Sequence, residues 1–443
     1  MPSLPSYKKI WDISWPLMIG LLAENLVGVV DTAFLGHVGE LELAASAIGS
    51  TFFIILFLVG LGFGTGTQIL IARRNGEKNY NKIGAIFENS LYFIWFFSAI
   101  VIILSFLFSK KTLGFMLNSE DILNVAIRYL NIRIFSLFFS LACVIMRSYF
   151  VGIQFTKYIG IGAFIVAGTN LIFDYLLIFG KLGFPQMGLE GAAWACVFAE
   201  LAGLVFYVWI IIKKVNLRKY QLFTFKIPSM QIVSQTMRLS IFTMLQNLVS
   251  LSSWFLFFVI IEKTGEKNLA ASNIIRSIYM LTICPVWAYG SAVSTLVSNA
   301  IGAKQQRDVF QIIRRVTVFG VITSIITFIP ILISAKGIMF LYTDNTELVS
   351  MGFKALYVVG VANIISSVSW VIFSSISATG NTMIALFLES LTLVCYLSTV
   401  FFFASEFPNR LDLIWCAENV YQVLIGLLSV LYLRTNHWMK KKI

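Results

Sequence analysis

Charge is what this chain has least of. Only 12% of its 443 residues are charged and 58% are hydrophobic, giving a mean hydropathy of +0.85. A soluble domain carries about 25% charged residues, so a soluble globule is excluded. Histidine is nearly missing: there are two, His37 and His437. The five cysteines, at 143, 196, 284, 395 and 416, are scattered through apolar stretches without CxxC spacing. They read as small buried hydrophobes rather than disulfides or metal ligands. With so few ligands a zinc or haem site is not expected. Ser-His-Asp and Cys-His arrangements are lacking too, so the chain is not expected to be an enzyme. The alternation typical of outer-membrane strands is absent. The apolar stretch after Lys8 and Lys9 is too long for a signal core and has no small-residue cleavage site, so no cleavable leader is expected.

What the chain has is apolar length. A bilayer-spanning helix needs about 20 residues. Twelve such spans are predicted, near 12–36, 45–71, 84–108, 122–150, 158–179, 188–212, 237–261, 270–298, 311–335, 347–377, 382–404 and 411–433. Turn-forming segments separate them, among them 118–121, 183–188 and 343–347. One long basic link joins spans 6 and 7. The expected organisation is an N-terminal six-helix bundle over 1–212, a cytoplasmic linker over 213–235 and a C-terminal six-helix bundle over 236–443. The fold class is all-α, integral to the membrane.

The net charge of +12 belongs to loops. Lys8, Lys9, Arg73, Arg74, Lys78, Lys82, Lys157, the 213–226 cluster, Lys304, Arg307, Arg314, Arg315, Arg434 and Lys440–Lys442 fall on one side. Lys110, Lys111, Lys181, Lys263, Lys267, Lys336 and Arg410 fall on the other. Cytoplasmic loops hold the excess of Lys and Arg, so both termini and the link are placed in the cytoplasm. Nucleic acid is not an expected partner.

The chain repeats itself. HVGELELAASAI at 37–48 returns as KTGEKNLAASNI at 263–274, an offset of 226. At the same offset Asn118-Ser119 matches Asp344-Asn345, and Gly152–Thr156 matches Ala378–Thr382. Six helices per copy is an even number, so both copies insert with one orientation. This is a parallel repeat about an axis along the membrane normal, an arrangement found in secondary transporters.

The two copies differ in their acids. Glu24 and Asp31 lie about two turns apart on one face of span 1, and Asn170 and Asp174 lie one turn apart on span 5. The repeat puts Ser250 and Phe257 opposite the first pair, and Tyr396 and Val400 opposite the second. A charge at mid-bilayer is costly and by default marks a functional site. Two carboxylates kept from water can hold a shared proton or a sodium ion and exchange one for the other. The functional reading is therefore a cation or proton site in the first bundle. The structural reading is a buried network, with Asp31 beside a helix break and Asp174 hydrogen-bonded at an interface. Glu88 and Glu200 are further first-half acids; Glu389 and Glu418 are their second-half counterparts in kind. Glu24, Asn25, Gln68 and Cys196 are candidates for a substrate pocket. Glu24 either neutralises a cationic substrate or pairs with an interior arginine, of which Arg128, Arg133 and Arg147 on span 4 are available. GLGFGTG at 60–66 lies inside an apolar helix with no strand before it and reads as close helix packing. Pro16, Pro285 and Pro330 predict kinks.

Val30-Asp31-Thr32 with Gly36-His37, Val38-Gly39 and LAASAI resembles the first-helix signature of the multidrug and toxic compound extrusion (MATE) family. Asn170-x-x-x-Asp174, followed by Leu177–Gly180 and Gly191-Ala192-Ala193, resembles it too. The acids in helices 1 and 5 look like the prokaryotic branch that includes the DNA-damage-inducible members. The resemblance covers essentially the whole chain. It implies two six-helix bundles in a V, exporting organic cations in exchange for Na⁺ or H⁺ across a bacterial inner membrane. The family's ion site maps onto Asp31, Asn170 and Asp174. No cofactor is implied beyond the coupling ion. The partners are a cationic or amphipathic small molecule and the lipid bilayer, and a single chain is the expected working unit. Glu24 stands where a neutral residue such as glutamine is expected, and Cys196 where a threonine often follows. Phe242 replaces a second Pro16, and helix 7 has no carboxylate for a second-half ion site. A flippase for lipid-linked saccharides, from the related superfamily, is the alternative.

Overall fold

The computed structural model describes residues 4–440, and among them it is helical throughout, with no strand. In a bilayer every backbone donor and acceptor must be satisfied within the segment, which is why long apolar stretches become helices. In chain order these are α1 (Tyr7–Gly36), α2 (Glu40–Gly76), α3 (Asn81–Met116), α4 (Glu120–Arg133), α5 (Ser136–Gly152), α6 (Lys157–Phe179) and α7 (Leu189–Lys214). A short α8 (Leu217–Tyr220) follows, then α9 (Met230–Glu262), α10 (Glu266–Gly302), α11 (Val309–Phe340), α12 (Thr346–Ala378), α13 (Thr382–Glu406) and α14 (Leu411–Arg434). Eleven of them are long and apolar enough to cross a membrane, and α4 with α5 makes a twelfth span bent by 46°.

The repeat is visible helix by helix. Each of α2 and α10 has 37 residues and starts after a glycine N-cap, Gly39 and Gly265. The matching turns are both helix caps. Ser119 Oγ accepts from the Ile122 amide, and Asn345 Oδ1 accepts from the amides of Glu347 and Leu348, satisfying donors that the first helical turn leaves free. The predicted span over 122–150 needs correction, because the structure breaks it at Ile134–Phe135. Three-residue bonds from Leu137 to Ile134 and from Phe138 to Phe135 tighten the chain there, and Ser136 Oγ donates to the Arg133 carbonyl at 2.7 Å. In the second half α12 runs unbroken across the matching positions. Helix continues through Pro16 and Pro285. In α11, Ser334 leaves helical geometry one turn after Pro330.

The protein packs as two compact units. One is Ile19–Met244; the other joins the start of the chain through Met18 to everything from Leu245 on. The units therefore divide within α1 and α9, not at the basic link. Two contacts place the start of α1 in the second unit: Arg315 Nη1 donates to the Pro5 carbonyl at 2.8 Å, and the Tyr7 ring meets Phe319 edge-on at 5.6 Å. The start of α9 belongs to the first unit because of glycine. A Cβ on Gly62 would stand 2.6 Å from the Met244 backbone. Across this approach Thr243 Oγ1 donates to the Gly62 carbonyl at 2.7 Å and Ser240 Oγ to the Phe63 carbonyl at 3.2 Å. The glycine-rich run thus packs helices, as its composition predicts.

The link after α7 lies on α3. Glu88 Oε1 accepts from the Thr224 amide at 2.7 Å and Asn89 Oδ1 from the Ser229 amide at 2.6 Å, while Lys219 Nζ sits 4.1 Å above the Tyr80 ring. Glu88, a candidate intramembrane acid by sequence, ties down this strap. The cysteines also need correction: Cys143, Cys196 and Cys284 are buried, but Cys395 is exposed and Cys416 half-buried. A side chain on the outer face of a membrane bundle needs no burial to be apolar.

Candidate ion-coupling site

Three polar side chains meet inside the first unit. Asp31 comes from the last third of α1; Asn170 and Asp174 come from successive turns of α6. The spacing of four residues puts the latter two on one face. Oriented by its neighbours, the Asn170 amide donates to Asp31 Oδ1 at 2.8 Å and to Asp174 Oδ2 at 3.3 Å. The two carboxyls thus share one amide, and a pair so held can keep a single proton between them. Asp174 is fully buried and Asn170 nearly so. Asp174 Oδ1 is buried without a hydrogen-bond partner. The far end of the amide faces Cys196 Sγ of α7 at 3.6 Å, so Cys196 belongs to this cluster.

The arrangement suits small cations. With its nitrogen inward, the amide bridges two carboxyls that hold a proton. With its oxygen inward, the same three groups present only hard oxygen donors, the kind alkali and alkaline-earth ions take.

Arg133, named from sequence only as an interior arginine that could pair with Glu24, lies with the acid pair. It closes α4 just before the bend. Its guanidinium lies 4.4 Å above the Phe53 ring of α2, and its charge acts on both Asp31 and Asp174. Arg133 Nε has no hydrogen-bond partner. Beside it, Tyr129 pairs its hydroxyl with Ser50 at 3.2 Å. The repeat carried the signal, since the residue matching Arg133 in the second half is Val359. A cation kept in one copy and replaced by valine in the other points to the same place as the acids.

The other candidates fall elsewhere. Glu24 is ion-paired with Arg147 of α5, the pairing alternative weighed above. Glu200 of α7 feels Arg147, Arg133 and Glu24, so charges of alternating sign lead from Glu24 toward the acid pair. Arg128 pairs with Glu190 at 3.5 Å. Asn25 Nδ2 donates to the Leu21 carbonyl at 2.9 Å. Gln68 is buried on α2, next to Thr67, which donates to Ser90 of α3 at 3.1 Å. That is about 20 Å along the helix from Phe53, so Gln68 is not part of the acid cluster.

In the second unit the matching positions form an apolar core. Phe257 stacks on Tyr396 at 5.9 Å and meets Trp415 edge-on at 4.9 Å. Val400 is fully buried in the same cluster. Where one copy places Asp31 beside Asn170, the other places Phe257 beside Tyr396.

This duplicated architecture matches a known family. The MatE family model covers residues 16–176 and 241–402, one stretch in each half. The chain belongs to the MatE family. Among MatE relatives, the Thermotoga maritima protein named probable multidrug resistance protein NorM is 22% identical over 440 residues, 98% of this chain and 94% of that one. The Escherichia coli DNA damage-inducible protein F is 24% identical over 344 residues, 77% of this chain and 74% of that one. The fold is also that of a solved MATE multidrug resistance transporter in an outward-facing conformation. The TM-score is 0.91 at 18% identity, covering 99% of this chain and 98% of the other.

Proposed function

We propose that this transporter is a secondary antiporter of the bacterial inner membrane, exporting organic cations or amphipathic drugs in exchange for H⁺ or Na⁺. Asp31, Asn170 and Asp174 are its coupling site. The observation that carries the reading is the Asn170 amide spanning two carboxyls in the first unit, with an orphan oxygen on the buried Asp174. Family membership and the multidrug resistance names of the relatives support the substrate class. In the cycle, the outward-facing protein loads the ion on the acid pair and releases the drug. Inward-facing, the ion leaves and the negative charge left behind favours a new cation. The excess of Lys and Arg in the loops of one side supports cytoplasmic termini, and a single chain is the proposed working unit. A lipid-linked saccharide flippase would ask for free basic groups to hold a pyrophosphate. The interior arginines of the first unit instead face acids: Arg147 pairs with Glu24, and Arg133 acts on Asp31 and Asp174.

Reconstituted vesicles test this. A fluorescent organic cation should move when a pH or Na⁺ gradient is imposed, and Asp31→Asn should lose that movement while remaining in the membrane. Equal gradient-driven movement by Asp31→Asn would sink the assignment.

A further inference from the structure

A groove of about 440 Å³ follows one face of α11 from Phe310 to Ile322, with Ile372 of α12 on its other wall. Twelve residues of helix make it about 18 Å long. Its lining is apolar, and Phe310, Val318 and Ile322 are exposed. One turn inside its basic end stands Arg314. Arg314 is exposed, and among the described residues it has no acid partner. Thr317 lines the groove next, and its Oγ1 is buried without a hydrogen-bond partner. On the same helix Thr323 Oγ1 donates to the Phe319 carbonyl at 2.8 Å, the return bond open to a helical threonine. Threonine in a helix takes two rotamers, so one turn about its Cα–Cβ bond brings the Thr317 hydroxyl to the groove.

The repeat shows how the matching face is used in the other copy. At the offset of 226, Phe310 and Arg314 match Gly84 and Glu88 of α3. There the face is closed by the link after α7: a Cβ on Gly84 would strike the Gln221 carbonyl, and Glu88 accepts from the Thr224 amide. One copy covers this face with its own chain and an acid. The other has a groove there, and a base in place of the acid.

We propose that the groove holds one anionic phospholipid. Its phosphate sits on the Arg314 guanidinium, an ester carbonyl takes the Thr317 hydroxyl, and an acyl chain lies along Val318, Ile322 and Ile372. The groove offers these three chemistries in the order in which a phospholipid presents its own with depth. A cation comes first, then a hydroxyl donor about 4.5 Å further along the helix, then hydrocarbon. Guanidinium meets phosphate through paired N–H donors, and basic pockets between membrane helices hold such headgroups. With no acid to neutralise it, Arg314 favours a lipid of net negative charge over a zwitterionic one. The site rests on the membrane-spanning fold alone and is independent of whether the antiport reading holds.

The full-length protein in detergent is given phosphatidylglycerol and phosphatidylcholine of matched chains, and retained lipid is counted by native mass spectrometry. The wild type should keep one phosphatidylglycerol, several-fold more often than phosphatidylcholine. Arg314→Gln, at an exposed position without an acid partner, should fold and lose that preference. Ile372→Trp, which fills the groove, should lose both lipids. Lys213→Gln removes a basic charge from the first unit and should keep the wild-type preference. Undiminished preference in Arg314→Gln overturns the proposal. So does an equal loss from Lys213→Gln, the mark of surface charge alone, and so does a dimer that retains no lipid, the mark of a second copy on this face. Should Ile372→Trp fail to fold, phosphatidylglycerol with a photoactivatable chain decides: it should label residues 310–322 and 372, and labelling confined to other helices overturns the proposal.

Discussion

Arg147 and Glu24 show how charge is kept inside this molecule. Their side chains are 24% and 43% exposed, so the pair is neither a surface bridge of small worth nor a sealed one. Removing one partner strands the other. Arg147→Met should destabilise the protein more than Arg147→Met combined with Glu24→Gln. The double-mutant cycle should return a coupling of about 1–2 kcal/mol, read from thermal unfolding in detergent. Additive losses would show that the two charges are independent. At this scale the sequence was eloquent about types and silent about partners. Asp31, Asn170 and Asp174 were legible because intramembrane acids are costly and because their repeat equivalents are Phe257, Tyr396 and Val400. That Glu24 would choose Arg147 over Arg128 or Arg133 was not legible. All three arginines lie on one span by sequence, and a bend between α4 and α5 decides which way each faces.

That bend is the main departure at the scale of elements. Nothing in the apolar run over 122–150 breaks helical periodicity, since there is no proline or glycine at Ile134–Phe135. The break lies just after Arg133, the last residue of α4, whose guanidinium stands over the Phe53 ring. The glycines of α2, by contrast, could be read directly. Gly62→Val would drive two methyl groups into the Met244 backbone and should cost about 1–3 kcal/mol, as overpacking does. Gly168→Ala, on α6 with nothing within 4 Å of the added Cβ, should leave the unfolding midpoint unchanged or raise it through helix propensity. Equal losses for the two would contradict close packing as the role of the glycine run. The basic link was legible as a link and as basic. Its seat on Glu88 and Asn89 was not, because these bonds run from backbone amides, which carry no sequence signature.

For the whole molecule, the spans and the sequence repeat follow from hydropathy and a gapless offset, and the structure shows helices over those spans with matching N-caps in the two copies. The division into units follows from neither. It cuts α1 and α9, whose hydropathy is continuous, and only packing reveals where a helix changes company. Duplication followed by divergence has left one copy with hydrogen-bonded acids and the other with a core of Phe257, Tyr396 and Trp415. Coupling in this account thus belongs to the first unit, and its chemistry is exchange: a cationic drug and the ion compete for the same negative charge. That exchange is open to one direct measurement. Organic cation is added to the purified protein in weakly buffered detergent, and released protons are followed with a pH indicator, released Na⁺ with a sodium-selective electrode. The wild type should give up one of these ions as the cation binds, and Asp174→Asn should give up neither. Drug binding by the wild type with no release of either ion, or undiminished release from Asp174→Asn, would contradict the exchange.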